Sequence, residues 1–298
     1  MNLDSWKYLK RCLAGTMAPG KACPYCGSRQ YRIIKRRKLL TALARCERCH
    51  LRFRFPLETP EFNKDFYQTD YQYLHATDVP DPARLEKLVA DKFRGSSMEI
   101  SRFIQVLGAL GVPHGARLLE FGSSWGYGPW QLREAGYDVV GYEVSRLRAG
   151  YGRTNLGVDV RDNLETIQGP FDVFFSSHVI EHLPTPAVAF DAASRLLAKG
   201  GLFVAFTPNG SEAFLQANPS EYHRYWNSVH PLYLDGEFYG RALTRGPKLM
   251  CSAQYERPYD LAAVAGWDRR SDRMLDLSGE ELCLAAVFDG QALAEGRK

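Results

Sequence analysis

Three groups of residues in this 298-residue chain have the types and spacing to do chemistry. The first is Cys23-Pro-Tyr-Cys26, separated by 19 residues from Cys46-Glu-Arg-Cys49. Each CxxC turn aims two thiolates at one point, and two such knuckles complete a tetrahedral shell for Zn²⁺. A shell of four sulfurs has no open position, so zinc held by Cys23, Cys26, Cys46 and Cys49 would be structural rather than catalytic. The second group is an apolar run that ends in an acid and a glycine-punctuated turn, Leu118-Leu119-Glu120-Phe121-Gly122-Ser123-Ser124-Trp125-Gly126. Such a turn lets backbone approach a ligand at the carboxyl end of a strand. The dinucleotide pattern GxGxxG is absent, and Glu120 would repel a phosphate. An acid there suits a positive centre, such as an ammonium or a sulfonium. The third group is His178-Val-Ile-Glu181-His182. If that segment is helical, its two imidazoles and the carboxylate share one face.

The elements that must position these groups follow from hydrophobic period. Short apolar runs mark strands at 116–121, 138–142, 157–160, 171–176, 201–207, 248–255 and 281–288. Helical spacing lies between them at 127–135, 145–154, 186–198 and 235–244, and Thr185 with Pro186 reads as a helix start. Residues 83–110 read as one or two helices broken near Gly95-Ser96-Ser97, and 5–13 as a short helix. The alternation predicts an α/β fold with a mostly parallel sheet and helices on both faces. The expected division is a ribbon with its N-terminal extension at 1–60, a helical connector at 61–115, and an α/β domain at 116–298. In the ribbon, the runs Tyr31–Ile34 and Leu39–Leu43 would form a hairpin. Residues 209–234 are polar and aromatic and read as a loop or lid; His223, Tyr225, Trp226 and His230 are its candidate acceptor contacts.

Further strand ends carry polar groups. Glu143 and Val144 follow the second strand, about 20 residues beyond the turn, where an acid can take both ribose hydroxyls. Asp162 and Asn163 follow the third and are placed to reach an adenine edge. Ser177 and His178 follow the fourth, and the fifth ends in Thr207-Pro-Asn-Gly210. Taken in order, ExGxxxG, the acid at 143, FDVxxxxHVIEHL and LLxxGGxxxxxTPN resemble the class I methyltransferases that use S-adenosylmethionine (SAM). CPxCGS, RCxxC and the aromatic connector with Phe66, Tyr67 and Tyr71 resemble the zinc ribbon fused to methyltransferases of small-molecule and glycan biosynthesis. The chain departs at Ser124 and at His50, where glycine is usual.

The resemblance implies a Rossmann-like sheet of seven strands. It implies that Glu120 and the backbone of Gly122, Ser123, Ser124, Trp125 and Gly126 face the methionine part of SAM. Glu143 would hold the ribose, Asp162 and Asn163 the adenine, while Ser177 and His178 would border the transferred methyl. His178 is then the first candidate for a base, and His182 with Glu181 the second. HxxEH also resembles the ExxEH cation-binding pattern of some O-methyltransferases, with His223 or His230 as a further ligand. The implied reaction is methyl transfer to a small-molecule or glycan acceptor, most simply at oxygen.

Charge separates along the chain. Residues 1–54 hold 14 Lys and Arg against two acids, while the remainder is acidic. Four thiolates on Zn²⁺ leave a formal charge of about −2, which Arg45, Arg48 and Arg52 would balance. Ten bases between Arg29 and Arg54 exceed that need. An RNA or protein acceptor gripped by the ribbon is therefore the second reading, not favoured because no sequence-reading motif accompanies the charge. No run approaches the roughly 18 apolar residues of a membrane span, and the first 20 residues lack the apolar core of a secretory signal. The expected location is the cytoplasm.

Overall fold

The computed structural model describes residues 22–37, 41–55, 57, 78–224, 230–254 and 257–294. The expected helix at 5–13, the aromatic connector, Tyr225 and Trp226 lie outside them. Chain order begins with three strands, β1 (Tyr31–Arg37), β2 (Thr41–Cys46) and β3 (Arg52–Phe55). Two helices follow, α1 (Pro82–Ala90) and α2 (Ser101–Ala109), interrupted where the glycine and serines sit. Asp81 caps α1 by accepting the Arg84 amide at 2.8 Å, with Pro82 in the first turn. Then come β4 (Arg117–Phe121), α3 (Tyr127–Glu134), β5 (Asp138–Tyr142), α4 (Arg146–Leu156), β6 (Asp159–Arg161), β7 (Phe171–Ser177), α5 (Ala187–Leu196) and β8 (Leu197–Pro208). The last part holds α6 (Glu212–Ala217), α7 (Pro219–Arg224), β9 (Leu232–Tyr233), α8 (Gly236–Ala242), β10 (Lys248–Ala253), α9 (Leu261–Ala265), β11 (Arg273–Met274) and β12 (Glu281–Val287).

The main sheet runs β11-β10-β12-β8-β7-β4-β5-β6. Strands β8, β7, β4, β5 and β6 are parallel, and β12 lies antiparallel between β8 and β10. This is the expected Rossmann-like sheet with one correction. Beyond the seven expected strands, the two-residue β11 adds an eighth at the edge, too short for periodicity to signal. The period of two sorts side chains to opposite faces. Phe121, Phe174, Phe203 and Ala205 pack on one side with α5 and α8. Leu118, Val173, Phe175, Val204 and Phe206 pack on the other with α2 and α9.

The ribbon does not stand apart. Its sheet runs β1-β2-β3-β9, so a strand from within 209–234 completes it, with Phe53 opposite Leu232. Tyr25, Phe53 and the four cysteines share one continuous buried cluster with Phe190 and Phe238. The Tyr25 ring meets Phe238 edge-on at 5.1 Å and Phe190 at 6.1 Å.

Candidate active site and cysteine centre

Chain order in the main sheet reverses between β4 and β7, one side continuing to β5 and the other to β8. Crevices at such switch points are where open α/β sheets bind ligands. Glu120, on the penultimate residue of β4, is buried there, and its Oε2 accepts no hydrogen bond. Burial, with Glu143 adding to it, pushes its carboxyl up to about 8. Room for this side chain comes from Gly128, where a Cβ would fall 2.1 Å from Glu120 Oε1. The turn itself needs Gly122, at φ 88°, because a Cβ there would fall 2.2 Å from Val179.

Ser124 adopts φ 49°, which explains why glycine is the usual residue there. Its amide donates to Glu143 Oε2 at 2.9 Å, and its hydroxyl accepts from the buried Arg148 at 2.8 Å. Glu143 Oε1 accepts the Ser145 amide at 2.8 Å. Both Glu143 oxygens thus hold the turn against the start of α4. Burial raises the Glu143 carboxyl against the pull of the Ser145 amide, Arg148 and the Ser124 amide. The Trp125 indole is fully buried against Phe93, Tyr127 and Tyr151, so only its backbone is placed to meet a ligand. Ser123 is buried with its hydroxyl lacking a hydrogen-bond partner, and Val144 is half-buried beside Glu143. Asp162 lies 3.5 Å from Arg153, and Asn163 caps the next turn by accepting the Glu165 amide at 3.1 Å.

At the end of β7, Ser177 is half-buried and His178 takes φ 54°. The following Ile180–His182 is a single 3-10 turn rather than an α-helix. His178 is held between carboxylates, with Nε2 2.7 Å from Glu281 and Nδ1 3.4 Å from Glu181. Burial pulls its pKa down, but Glu181 and Glu281 outweigh this and raise it to about 10. The imidazole is still 40% exposed, so solvent screens part of that rise. With both nitrogens facing carboxylates, His178 has no lone pair for a substrate proton. This argues against it as the base and suits it to holding negative charge.

Glu181 is buried, and neither of its oxygens accepts a well-formed hydrogen bond. Burial alone would raise this carboxyl, but His178, His182 and His230 hold it below the ordinary glutamate range. One ligand atom from each of Glu181, His182 and His230 falls within 4.8 Å of the others. The His182 and His230 rings are 4.6 Å apart. His223 is elsewhere, its Nε2 2.6 Å from Lys35 Nζ of the ribbon.

The four ribbon cysteines are buried and their sulfurs converge within 4.8 Å. Cys23 to Cys49 and Cys26 to Cys46 are each 3.5 Å. A tetrahedron with Zn–S bonds of about 2.3 Å has edges of about 3.8 Å, so the set fits the ion. Thiols packed this closely resist losing all their protons without a cation. Burial pushes the Cys26 thiol up to about 11, and Cys49 is raised further, by Cys23 first.

Residues 92–245 match the protein family described as a methyltransferase domain, more than half of the chain. The chain belongs to that family. A ubiquinone biosynthesis O-methyltransferase of Alkalilimnicola ehrlichii is 25% identical to it over 155 residues, 45% of this chain and 63% of that protein. One of Nitrosococcus oceani is 28% identical over 142 residues, 41% of this chain and 60% of that protein. The chain therefore spans less than two-thirds of the length of these curated relatives. Among solved structures, the plantazolicin methyltransferase BpumL in complex with SAH is similar at 11% identity and TM-score 0.48, over 77% of this chain and 96% of that one.

The methyltransferase-family match leaves the ribbon and strands β10 to β12 outside its bounds. Two residues that hold the site together, Glu281 outside those bounds and Arg148 within them, were not singled out from the sequence. Glu281 on β12 is buried and accepts from Arg102 at 2.6 Å, His178 at 2.7 Å and Tyr259 at 2.8 Å. An acid opening the otherwise apolar run Glu281–Val287 was its one available signal. Arg148 gave none, since an arginine on a helix reads as a solvated face.

Proposed function

We propose that this methyltransferase-family protein transfers a methyl group from SAM to an oxygen of a small-molecule or glycan acceptor. The observation that carries this is the buried Glu120 carboxyl at the end of β4, which burial keeps protonated up to about pH 8 and which faces no cation among the described residues. A cofactor with an ammonium and a sulfonium supplies the missing positive charge. The relatives named ubiquinone biosynthesis O-methyltransferase support oxygen and a small molecule as the acceptor class.

Bound SAM supplies an electrophilic methyl that departs from a good leaving group. The protein's task is to align the acceptor oxygen with it, exclude water and take one proton. Glu143 is assigned to the ribose, Asp162 and Asn163 to the adenine, and Ser177 to the edge of the methyl. His182 is assigned the proton, with its Nε2 3.8 Å from the ionised Glu181 that would stabilise its imidazolium. His178 is assigned to orientation, for the geometric reason given above. Zn²⁺ on Cys23, Cys26, Cys46 and Cys49 would supply folding stability alone. Residues 209–234, with His230 beside His182, are assigned to cover the acceptor.

A second reading of the β7 end is favoured by the poorly hydrogen-bonded Glu181 converging with His182 and His230. Two imidazoles and a carboxylate suit a divalent transition ion, which would lower the pKa of a bound hydroxyl acceptor. The ribbon as a grip for RNA or acidic protein is less supported. Arg45 and Arg52 turn inward to Glu237 and Asp235 and leave the outer surface less basic than the sequence suggests.

Mass spectrometry of the natively purified protein and calorimetry with S-adenosylhomocysteine test the proposal. We expect co-purified S-adenosylhomocysteine and micromolar binding of about −8 kcal/mol. No binding at millimolar concentration would overturn it. Loss of activity with chelators, restored by a divalent ion but abolished in Glu181→Gln, would select the cation reading over His182 as base.

A further inference from the structure

We propose that Arg52, on the cysteine ribbon, is a positioning residue that clasps the two ends of the lid over the end of β7. This rests on the reading that 209–234 covers the acceptor. The guanidinium of Arg52 is buried and reaches three groups. It donates to the Gly210 carbonyl at the start of the lid and to Asp235 Oδ2 at its end, and Nη2 lies 3.5 Å from Glu212. One nitrogen, Nη1, makes both end contacts while Nη2 faces Glu212, so what joins the ends is the reach of the arginine, and a lysine ammonium stops about one bond short of that point.

The groups it holds are themselves ordered by the closure. Asp235 uses its other oxygen to cap α8, accepting the Phe238 amide at 2.7 Å. The Gly210 amide donates to the Leu234 carbonyl at 2.8 Å, and the Tyr222 hydroxyl donates to the Gly210 carbonyl at 3.2 Å. The two ends approach so closely that a Cβ on Gly210 would meet the Leu234 oxygen at 2.8 Å. This gives the last glycine of Thr207-Pro-Asn-Gly210 its physical reason. The ribbon reinforces the closure on either side. The Arg54 amide donates to Pro231 at 2.7 Å, next to His230, and Leu43 packs with Phe214, Tyr222 and Tyr233. His230 thus meets His182 because the segment that carries it is built into the ribbon sheet.

The test is amide hydrogen exchange on the full chain, comparing wild type with Arg52→Met and Arg52→Lys. In Arg52→Met the Gly210 and Phe238 amides should exchange about tenfold faster or more, while β4 amides Leu118 to Phe121 keep wild-type rates. In Arg52→Lys the ammonium, about one bond shorter, keeps the longer-range charge attraction to Asp235 but falls short of a hydrogen bond to the neutral Gly210 carbonyl. The Phe238 amide should then recover while Gly210 stays fast. Wild-type rates at Gly210 in both variants would overturn the clasp, as would equal acceleration of β4, which marks a general loss of stability. Should Arg52→Met fail to fold, Arg52→Lys decides alone. Exchange needs no acceptor, so its failure removes the clasp and leaves the acceptor assignment of the lid standing. Failure of that assignment shows differently, as an unchanged acceptor KM in a variant whose lid has loosened.

Discussion

Replacing Glu120 with glutamine should stabilise the protein against unfolding at neutral pH while weakening its hold on the cofactor. The carboxyl has an ordinary value of 4.5 and is raised to about 8 in the fold. Between those values the folded chain binds a proton that the unfolded chain does not. Stability contributed by this group is therefore complete below the unfolded value and is lost as pH rises, at about 1.4 kcal/mol per pH unit. Glutamine does not titrate, and its packing offset is independent of pH. The advantage of Glu120→Gln over wild type should grow by about 2.7 kcal/mol between pH 5.5 and 7.5. Urea unfolding of both proteins at the two pH values measures this, and titrating groups other than the coupled Glu143 cancel in the difference. Calorimetry with SAM should show the opposite cost, about 1.5–3 kcal/mol of lost affinity. An advantage that does not change with pH would refute the reasoning, because it would mean that Glu120 is not a buried acid kept protonated until a cation arrives.

Metal analysis should find one zinc per chain, and none in Cys46→Ser, which should also melt earlier because β9 completes the ribbon sheet. Gly128→Ala places a methyl on the Glu120 carboxylate; it should cost about 1–3 kcal/mol in urea unfolding and weaken S-adenosylhomocysteine binding. Gly108→Ala, with nothing within 4 Å of the new methyl, is the control and should do neither. Glu281→Gln removes the shorter of the two carboxylate contacts to His178, so the imidazole proton, followed by NMR, should titrate clearly below about 10. An unmoved titration would show that Glu181 alone holds it.

What the sequence made legible is what local period and spacing encode. Residues 138–142 read as a strand and are one to the residue, because Gly136 and a run of valines leave no ambiguity. The two CxxC knuckles carry their own geometry, and the sulfurs converge as that spacing demands. The helix expected from 186 begins at Ala187, with the Thr185 hydroxyl still accepting the Ala187 amide at 3.2 Å. Strand β8 starts four residues earlier than its apolar run, since Leu197–Gly200 continue in backbone pairing that polar Lys199 hides. Contacts made across long separations were not legible. Glu281 meets His178 from 103 residues away, and Arg52 meets Asp235 from 183. The two-residue β9 is too short to have a period, yet it ties the end of segment 209–234 to the ribbon sheet.

That strand also orders events in time. Residues 31–55 can pair among themselves as soon as they leave the ribosome, but their sheet lacks its fourth strand until residue 233 has been made. At roughly 5–20 residues per second, the wait is on the order of ten seconds or more. During that interval the β3 edge has no partner from its own chain, and Leu43 lacks Phe214, Tyr222 and Tyr233 and Phe53 lacks Leu232. Thiolate capture of a metal ion would hold the early hairpins in register over that gap. The nascent ribbon would then need such an ion well before there is a site for it to support.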